Sequence, residues 1–288
     1  MRARAVSRGV ELFSARTPTL LPATHTNSYA LGDREVLLIE PATPYDDERR
    51  AWLEWARAFP SQGRELVAIA LTHHHPDHVG GAELFAAELG LPIWAHEATA
   101  GRLPRLPIAR RIADGETILL DGAIPQRWTA LHTPGHAPGH LCFHEATERA
   151  LVVGDMVASV GTILIEPTDG DMIAYLEQLE RLAQLDAEVA LPAHGDPIAE
   201  SGATGRRPSE LFRFYIAHRL AREVKVAAAL AQTGPAGATG EALVPIAYAD
   251  TPPVVWPLAR LSLEAHLIKL ERDGRARRIG AGWATLVS

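Results

Sequence analysis

Four side chains that can bind a metal ion lie within one short stretch of the sequence: His73, His75, Asp77 and His78. Side-chain direction in an extended chain repeats every two residues, so His73 and His75 point to one side and His74 to the other. Imidazole nitrogens and a carboxylate suit zinc, or less selectively iron or manganese. A solvated histidine-rich loop is the weaker interpretation, because such tracts rarely carry an interleaved aspartate.

The elements on either side of this stretch predict a strand-to-helix loop. The apolar run 66–71 before it has the length and β-branched content of a buried strand. The run 82–89 after it predicts a helix that Gly90 ends. Gly80 and Gly81 allow a tight backbone path into that helix.

Three further candidate ligands also follow predicted strands. His136 lies in the tight loop 133–140, Asp155 ends the buried strand 150–155, and His194 follows the strand 188–191. A single histidine at a strand end is more often a structural residue than a ligand. Candidate ligands at four strand ends in one chain favour a shared site, because the active sites of α/β proteins lie at the ends of strands.

The remaining pattern alternates strands with helices and then changes after residue 205. Helices are predicted over 46–59 and 171–185, and the Pro- and Arg-rich residues 98–115 are predicted to form a surface loop, with a possible role as a lid. Beyond a Gly-rich boundary at 201–205, helices are predicted over 208–232 and 258–272, with a flexible link at 233–240 and a hairpin at 274–286. This predicts a main domain over 1–205 and a compact winged-helix-like domain over 206–288.

Charge and composition narrow the class of protein. The net charge is −7, yet residues 206–288 hold 12 Lys and Arg against seven Asp and Glu, so this part carries +5 and residues 1–205 carry −12. An acidic main domain does not favour a polyanionic substrate, although the basic C-terminal part could. No apolar run approaches about 18 residues, which predicts no membrane span. The start lacks a secretory signal pattern, and Cys142 is a single cysteine, so we expect a cytoplasmic location.

The motifs together resemble those of the metallo-β-lactamase superfamily. Residues 72–81 resemble its HxHxDH signature, and the segments 133–140, 154–155 and 192–195 match its later motifs in order. The resemblance implies an α/β fold, the αββα sandwich, with the site at one edge of two sheets. It implies that one metal binds His73, His75 and His136, that a second binds Asp77, His78 and His194, and that Asp155 bridges them. Asp77 would also orient the nucleophile or the leaving group.

Nearly the full length of the chain also resembles one smaller family within this superfamily. The loop 133–140 is similar to that of hydroxyacylglutathione hydrolases, and an aspartate at position 155 argues against β-lactam hydrolysis. The segments 26–29, 161–162, 217–223 and 267–274 resemble the β-lactamase-like protein 2 family, which has a C-terminal winged-helix-like domain. Animal members of that family resemble single-strand endoribonucleases, and related fungal members act as thioesterases on carrier-bound polyketides.

The sequence therefore supports a hydrolase with two zinc ions, or iron or manganese in their place. Two cations ~3.5–4 Å apart can share a water and lower its pKa toward neutrality. We expect a thioester or ester substrate, either a small molecule or an acyl group on a carrier. Single-strand RNA is the alternative, with Arg206, Arg207, Arg219 and Arg222 as candidate contacts, although no basic and aromatic residues alternate as strand-gripping surfaces require. An inactive binding module is disfavoured by the complete ligand set.

Two predictions concern the surroundings of the metals. His140 follows the turn at Pro138 and Gly139, and we expect it either to support the metal loop or to pack as an ordinary strand residue. Ser159, Gly161 and Thr162 follow the strand that carries Asp155, and they are candidates for the substrate pocket.

Overall fold

A computed structural model describes residues 3–286 of the chain. Its first sheet has seven strands in sequence order: β1 (Ala3–Ser7), β2 (Val10–Arg16), β3 (His25–Leu31), β4 (Glu35–Ile39), β5 (Glu65–Ala70), β6 (Ile93–Ala95) and β7 (Ile108–Arg111). The strands β1 to β4 pair antiparallel, and β4 to β7 pair parallel.

The second sheet has five strands: β8 (Thr117–Leu120), β9 (Gln126–His132), β10 (Leu141–Glu145), β11 (Ala150–Gly154) and β12 (Val189–Pro192). Their order is β12–β11–β10–β9–β8, and the pair of β11 and β12 is parallel. Five helices accompany the two sheets: α1 (Asp46–Ser61), α2 (Pro76–Val79), α3 (Ala82–Leu89), α4 (Glu97–Arg102) and α5 (Met172–Ala183).

The two sheets pack face to face around one apolar core. Tyr29 and Leu37 of the first sheet lie in the same buried cluster as Trp128 and Phe143 of the second. The outer face of the first sheet packs against α1 and α3, where the ring centroids of Trp52 and Phe85 are 4.0 Å apart. The outer face of the second sheet packs against α5. This layer order confirms the predicted αββα sandwich.

Asn27 of β3 ties the first sheet to the end of β12. Its backbone N–H donates to the carbonyl oxygen of Ala193 at 2.8 Å. Its side-chain amide donates to the carbonyl oxygens of Pro192 at 2.9 Å and Gly195 at 2.7 Å. Because Asn27 is 3% exposed, these bonds are shielded from competing water. They fix the loop that carries His194.

The C-terminal part is a winged helix, as predicted. It consists of α6 (Pro208–Ala231), α7 (Gly240–Ala247), α8 (Trp256–Arg272), β13 (Ala276–Ile279) and β14 (Gly282–Thr285), with β13 and β14 paired antiparallel. Leu243, Leu263 and Trp283 share its buried core.

The helix α6 belongs to two cores at once. Phe212 and Tyr215 in its first half pack with Tyr175 of α5 on the sandwich. Val226 and Leu230 in its second half pack in the core of the winged helix. The predicted boundary at residue 206 stays a prediction, and the two cores meet within this helix.

Two segments differ from the sequence-based prediction. Residues 98–115 were expected to form a surface loop, but α4 and the edge strand β7 lie here, because parallel pairing with β6 supplies hydrogen bonds that local composition does not reveal. The helix α7 was not predicted, since it contains Pro245 and begins at Gly240. The Thr239 side chain caps its N-terminus, and burial of Leu243 and Val244 outweighs the poor local propensity.

Within residues 3–286, no helix is long and apolar enough to cross a membrane.

Gly154 at the end of β11 sets the direction of the chain into Asp155. Its φ is +47°, and an added Cβ would lie 2.6 Å from Nε2 of His140.

A comparison of two glycines separates the cost of positive φ from the cost of this clash. Gly90 also has positive φ but open space around it, so Gly90→Ala is the control, and we expect it to destabilise the fold by about 1 kcal/mol. Gly154→Ala should cost about 1–3 kcal/mol more because of the clash. Urea denaturation of both variants tests this, and equal losses would contradict it.

Candidate metal centre

Three histidines meet at one point beside the loop after β5. The Nδ1 atom of His75 lies 3.0 Å from Nε2 of His73 and 3.0 Å from Nε2 of His136. The two Nε2 atoms are 3.3 Å apart. His73 and His75 come from the loop and His136 from the loop between β9 and β10, so the two sheets contribute together.

The other ring nitrogen of each histidine faces a hydrogen-bond partner. Nε2 of His75 donates to Oδ2 of Asp169 at 2.9 Å, and Nδ1 of His136 donates to the carbonyl oxygen of Leu164 at 2.9 Å. Nδ1 of His73 contacts the Thr72 hydroxyl at 2.9 Å. Carboxylate and carbonyl oxygens only accept, so for His75 and His136 the proton lies on the outer nitrogen and a lone pair points inward.

Burial keeps the His73 and His136 rings neutral. It lowers the pKa of His136 to about 4 and, together with the neighbouring histidines, lowers the pKa of His73 well below its usual value. Neutral rings whose outer nitrogens carry the proton direct lone pairs at one another, which is unfavourable unless a cation lies between them. This cluster therefore fits a metal ion.

A second cluster lies next to the first. Nε2 of His194 is 3.6 Å from Oδ2 of Asp77, and Nε2 of His78 is 3.8 Å from the same oxygen. His78 and Asp77 lie in the single turn α2, which Pro76 begins, and His194 follows β12. The outer nitrogen of His194 donates to the carbonyl oxygen of His25 at 3.0 Å, so Nε2 points inward. Burial opposes a charge on this ring, but the Asp155 carboxylate outweighs burial and raises the pKa of His194.

The surroundings of His78 favour a positive charge. Burial opposes a charge on this ring, but the carboxylates of Asp155, Asp77 and Glu40 outweigh burial and raise the pKa of His78 well above its usual value. Its Nε2 atom and Oδ1 of Asp155 are buried without a hydrogen-bond partner among residues 3–286. A bound cation in place of the proton would satisfy both atoms, because a neutral imidazole nitrogen and a carboxylate oxygen each offer it a lone pair.

Asp155 faces both clusters. Its Oδ2 atom lies 3.4 Å from Nε2 of His136 and 3.5 Å from Nε2 of His78, while Oδ1 lies 3.4 Å from Nε2 of His194. Its backbone N–H donates to Nε2 of His140 at 3.0 Å, and Nδ1 of His140 contacts the Thr133 hydroxyl at 2.8 Å. His140 therefore supports the metal loop, which is one of the two roles expected of it.

The structure brings all seven predicted residues together, and it adds two acids that sequence reasoning missed. Glu40 follows β4 with a positive φ of 61°, which is uncommon outside glycine. Its carboxylate accepts from the Thr72 backbone N–H at 3.0 Å and from Nδ1 of His78 at 3.1 Å. The sequence could have indicated Glu40, because it is an acidic residue at the end of a buried strand, the same pattern that identified Asp155.

Asp169 had no such signal, because it lies in an irregular loop before α5. Besides His75, its carboxylate contacts Nε2 of His74 at 3.0 Å and the Arg102 guanidinium at 3.1 Å. The expectation that His74 points away from His75 is wrong, because the chain turns at His75 to begin α2 and both rings reach one carboxylate.

A cavity of ≈ 670 Å³ is lined in part by the segment that follows Asp155. Ser159, Gly161 and Thr162, the predicted pocket residues, are among those that line it. The backbone N–H of Ser159 donates to the carbonyl oxygen of His194 at 3.1 Å, so the wall of the cavity is bonded to the metal centre.

Comparison with known proteins agrees with this fold. Residues 21–194 match the family described as Metallo-beta-lactamase superfamily, and residues 239–283 match the Beta-lactamase associated winged helix domain. The chain therefore belongs to the metallo-β-lactamase superfamily, whose members are hydrolases that bind metal ions, usually zinc.

Individual relatives show which members of the superfamily the chain is similar to. The chain is 27% identical to the Beta-lactamase-like protein 2 homolog of Drosophila melanogaster, with 90% of this chain and 87% of the fly protein covered. It is 31% identical to Thioesterase pkgB of Emericella nidulans, with 78% and 60% covered. It is 32% identical to Lactamase-like protein nscB of Trichophyton rubrum, with 78% and 64% covered. The chain thus spans less than two thirds of the length of these two fungal proteins.

Two crystal structures share the fold over nearly the whole chain. A metallo-beta-lactamase family protein of Thermus thermophilus superposes with a TM-score of 0.77 at 25% identity, covering 98% of this chain and 100% of that one. A Beta-lactamase domain protein from Burkholderia ambifaria superposes with a TM-score of 0.82 at 22% identity, covering 99% and 93%, and shows the fold alone.

The contact between Glu40 and His78 generates a prediction on metal affinity. Glu40→Gln removes the charged acceptor that orients the His78 ring, so we expect zinc affinity to fall by about 10–100-fold. Competition with a chromophoric chelator measures it. Glu54→Gln, at an exposed position on α1, is the matched control and should keep wild-type affinity. Equal affinity in both variants would show that Glu40 does not position the ring.

Proposed function

We propose that the chain is a two-metal hydrolase of thioesters or esters. In this proposal His73, His75 and His136 hold one metal ion, Asp77, His78 and His194 hold the other, and Asp155 bridges them. The observation that carries it is the convergence of inward-facing ring nitrogens and the Asp155 carboxylate on adjacent points. The family, whose members bind metal ions, supports the same assignment.

The spacing of the first cluster supports zinc. Three nitrogens bound to one tetrahedral zinc at about 2.0–2.1 Å lie about 3.3–3.4 Å from one another. The observed separations of 3.0 to 3.3 Å between the ring nitrogens are close to this value. Iron or manganese is the alternative, and the carboxylates of the second cluster make that position the less selective one.

When bound, the two cations supply a water of lowered pKa as the nucleophile and positive charge beside the carbonyl oxygen. The chain's own residues then divide the remaining work. Asp155 would hold both ions through its carboxylate and offset part of their charge. Asp77, with its side chain 16% exposed, is placed to accept a hydrogen bond from the nucleophile or the leaving group. The water oxygen bonds to the carbonyl carbon, the C–S or C–O bond breaks, and the thiol or alcohol leaves with a proton.

The preference for a carbonyl substrate over RNA rests on the arginines near the cavity. Arg207 pairs with Glu200 at 2.8 Å, and Arg222 pairs with Asp250 at 2.8 Å. Arg219 is 4% exposed and donates to the carbonyl oxygen of Ile163. Three of the four arginines suggested as RNA contacts are thus engaged within the protein, which leaves little charge for a phosphate backbone. The fungal relative named a thioesterase also supports this preference.

The two-metal assignment predicts the result of removing single ligands. We expect about two metal ions per chain in the wild type and a loss of full stoichiometry in His73→Ala and in Asp155→Ala. Turnover should fall by about a thousandfold or more, because several kcal/mol of charge stabilisation are lost. Elemental analysis and a thioester assay measure both quantities. His144→Ala, on β10 away from both clusters, is the control, and retained turnover in Asp155→Ala would refute the bridge.

The substrate class predicts the response to salt. Cleavage of a synthetic thioester should change little between 50 and 200 mM salt, whereas an enzyme that binds RNA through 6–10 phosphates would lose about 10³–10⁵ in affinity. We expect Arg207→Ala to leave thioester turnover within about twofold of wild type, since exposed charges add little to a neutral reaction. RNA cleavage that falls steeply with salt, without thioester turnover, would establish the ribonuclease alternative.

A further inference from the structure

The cavity of ≈ 670 Å³ lies between the sandwich and the winged helix. Its walls come from the loop 20–22, the segment 158–164 that follows Asp155, the first half of α6, and the start of α8. Cavities of about 300–1,000 Å³ hold small-molecule ligands. The cavity is therefore large enough for a substantial part of a substrate molecule.

Large apolar side chains from distant parts of the sequence converge on this cavity. Leu21 is 81% exposed, Phe214 50%, Val255 37% and Leu258 36%, and all four line it. Surface apolar residues that occur singly are ordinary, whereas a group of them around one concavity marks a ligand-binding groove. The lining thus indicates a hydrocarbon ligand.

Several polar groups in the walls already have hydrogen-bond or ion-pair partners within the protein. The Tyr215 hydroxyl donates to the carbonyl oxygen of Ala158 at 3.0 Å and accepts from its N–H at 3.1 Å. Arg219 donates to the carbonyl oxygen of Ile163, and Arg222 pairs with Asp250. Groups that are satisfied within the protein gain little from a polar ligand, so the walls favour an apolar one.

Residues in the wall of the cavity are hydrogen-bonded to two of the candidate metal ligands. The Leu164 carbonyl oxygen accepts from Nδ1 of His136, and the Ser159 N–H donates to the carbonyl oxygen of His194. Next to Leu20, the Thr19 hydroxyl lies 3.4 Å from Nε2 of His194. These contacts bring the wall of the cavity next to the two candidate metal positions.

We propose that this cavity binds the acyl group of the substrate, so that the compound hydrolysed is a thioester or ester of a bulky hydrophobic carboxylic acid. The inference rests on the proposed function and adds the substrate's chemical class to it. The winged helix then forms one wall of the substrate site, through Tyr248, Val255 and Leu258.

The test uses the zinc-loaded full-length chain and N-acetylcysteamine thioesters of acetic, butanoic, hexanoic and octanoic acids. Each methylene that becomes buried should raise kcat/KM by about fourfold. Since the longest chains need not bury every methylene, we expect a rise of at least about a hundredfold from acetyl to octanoyl.

Two variants locate the effect in the cavity. Phe214→Ala and Leu258→Ala should each lower the ratio of octanoyl to acetyl kcat/KM by about tenfold, because each removes apolar contact area. Leu220→Ala is the matched control, since Leu220 lies on the same helix as Phe214, is 43% exposed and is not among the lining residues. It should leave both the ratio and the rates unchanged.

The outcomes separate the two proposals. A flat dependence on chain length, with thioesters hydrolysed, would overturn the acyl cavity and leave the proposed function intact. If no thioester or ester is hydrolysed, the proposed function fails, and calorimetry with octanoate decides on the cavity separately. Octanoate binding that Phe214→Ala weakens supports the cavity, and absence of binding overturns it. A change of oligomeric mass in Phe214→Asp would mean that a second chain covers this surface, which also overturns the inference.

Discussion

The electrostatics of inward-facing lone pairs is the constraint on which the rest of this structure depends. The ring nitrogens of His73, His75 and His136 lie 3.0 to 3.3 Å apart. Such an arrangement is stable only if each ring is held from outside and a cation compensates inside. The Asp169 carboxylate, the Thr72 hydroxyl and the Leu164 carbonyl oxygen provide the holding contacts, and they come from loops of both sheets. Residues well beyond the ligands are thus required for the geometry of the site.

Most of the site could be predicted from the sequence because its ligands are local to strand ends. His73, Asp155 and His194 each follow an apolar run that only a buried strand explains, and their order along the chain restricts the fold that brings them together. Asp169 could not be predicted, because its proximity to His75 depends on how the loop before α5 folds back across the sheets. Glu40 was only weakly indicated, as an acidic residue at the end of a predicted strand. Its positive φ marks the position as unusual, but that is visible only in the structure.

The fold was predicted where local pattern and long-range pairing agree, and it was missed where they conflict. The helix predicted over 46–59 forms as α1, and it buries its aromatic residues Trp52, Trp55 and Phe59. In contrast, β7 exists because β6 offers it a parallel edge, and α7 exists because Leu243 and Val244 fill the core of the winged helix. Those contributions arise from residues distant in sequence, so no local window contains them.

The helix α6 packs in the core of the sandwich and in the core of the winged helix, and this affects how the chain folds during synthesis. All the candidate metal ligands, ending with His194, emerge from the ribosome before residue 208 begins the helix. A nascent chain that stops short of α6 lacks Phe212 and Tyr215, which cover the face of the second sheet beside Tyr175. The metal centre can thus assemble while an apolar face is still open to water and to other chains. Chaperone contact, or early binding of a metal ion, would matter most in that interval.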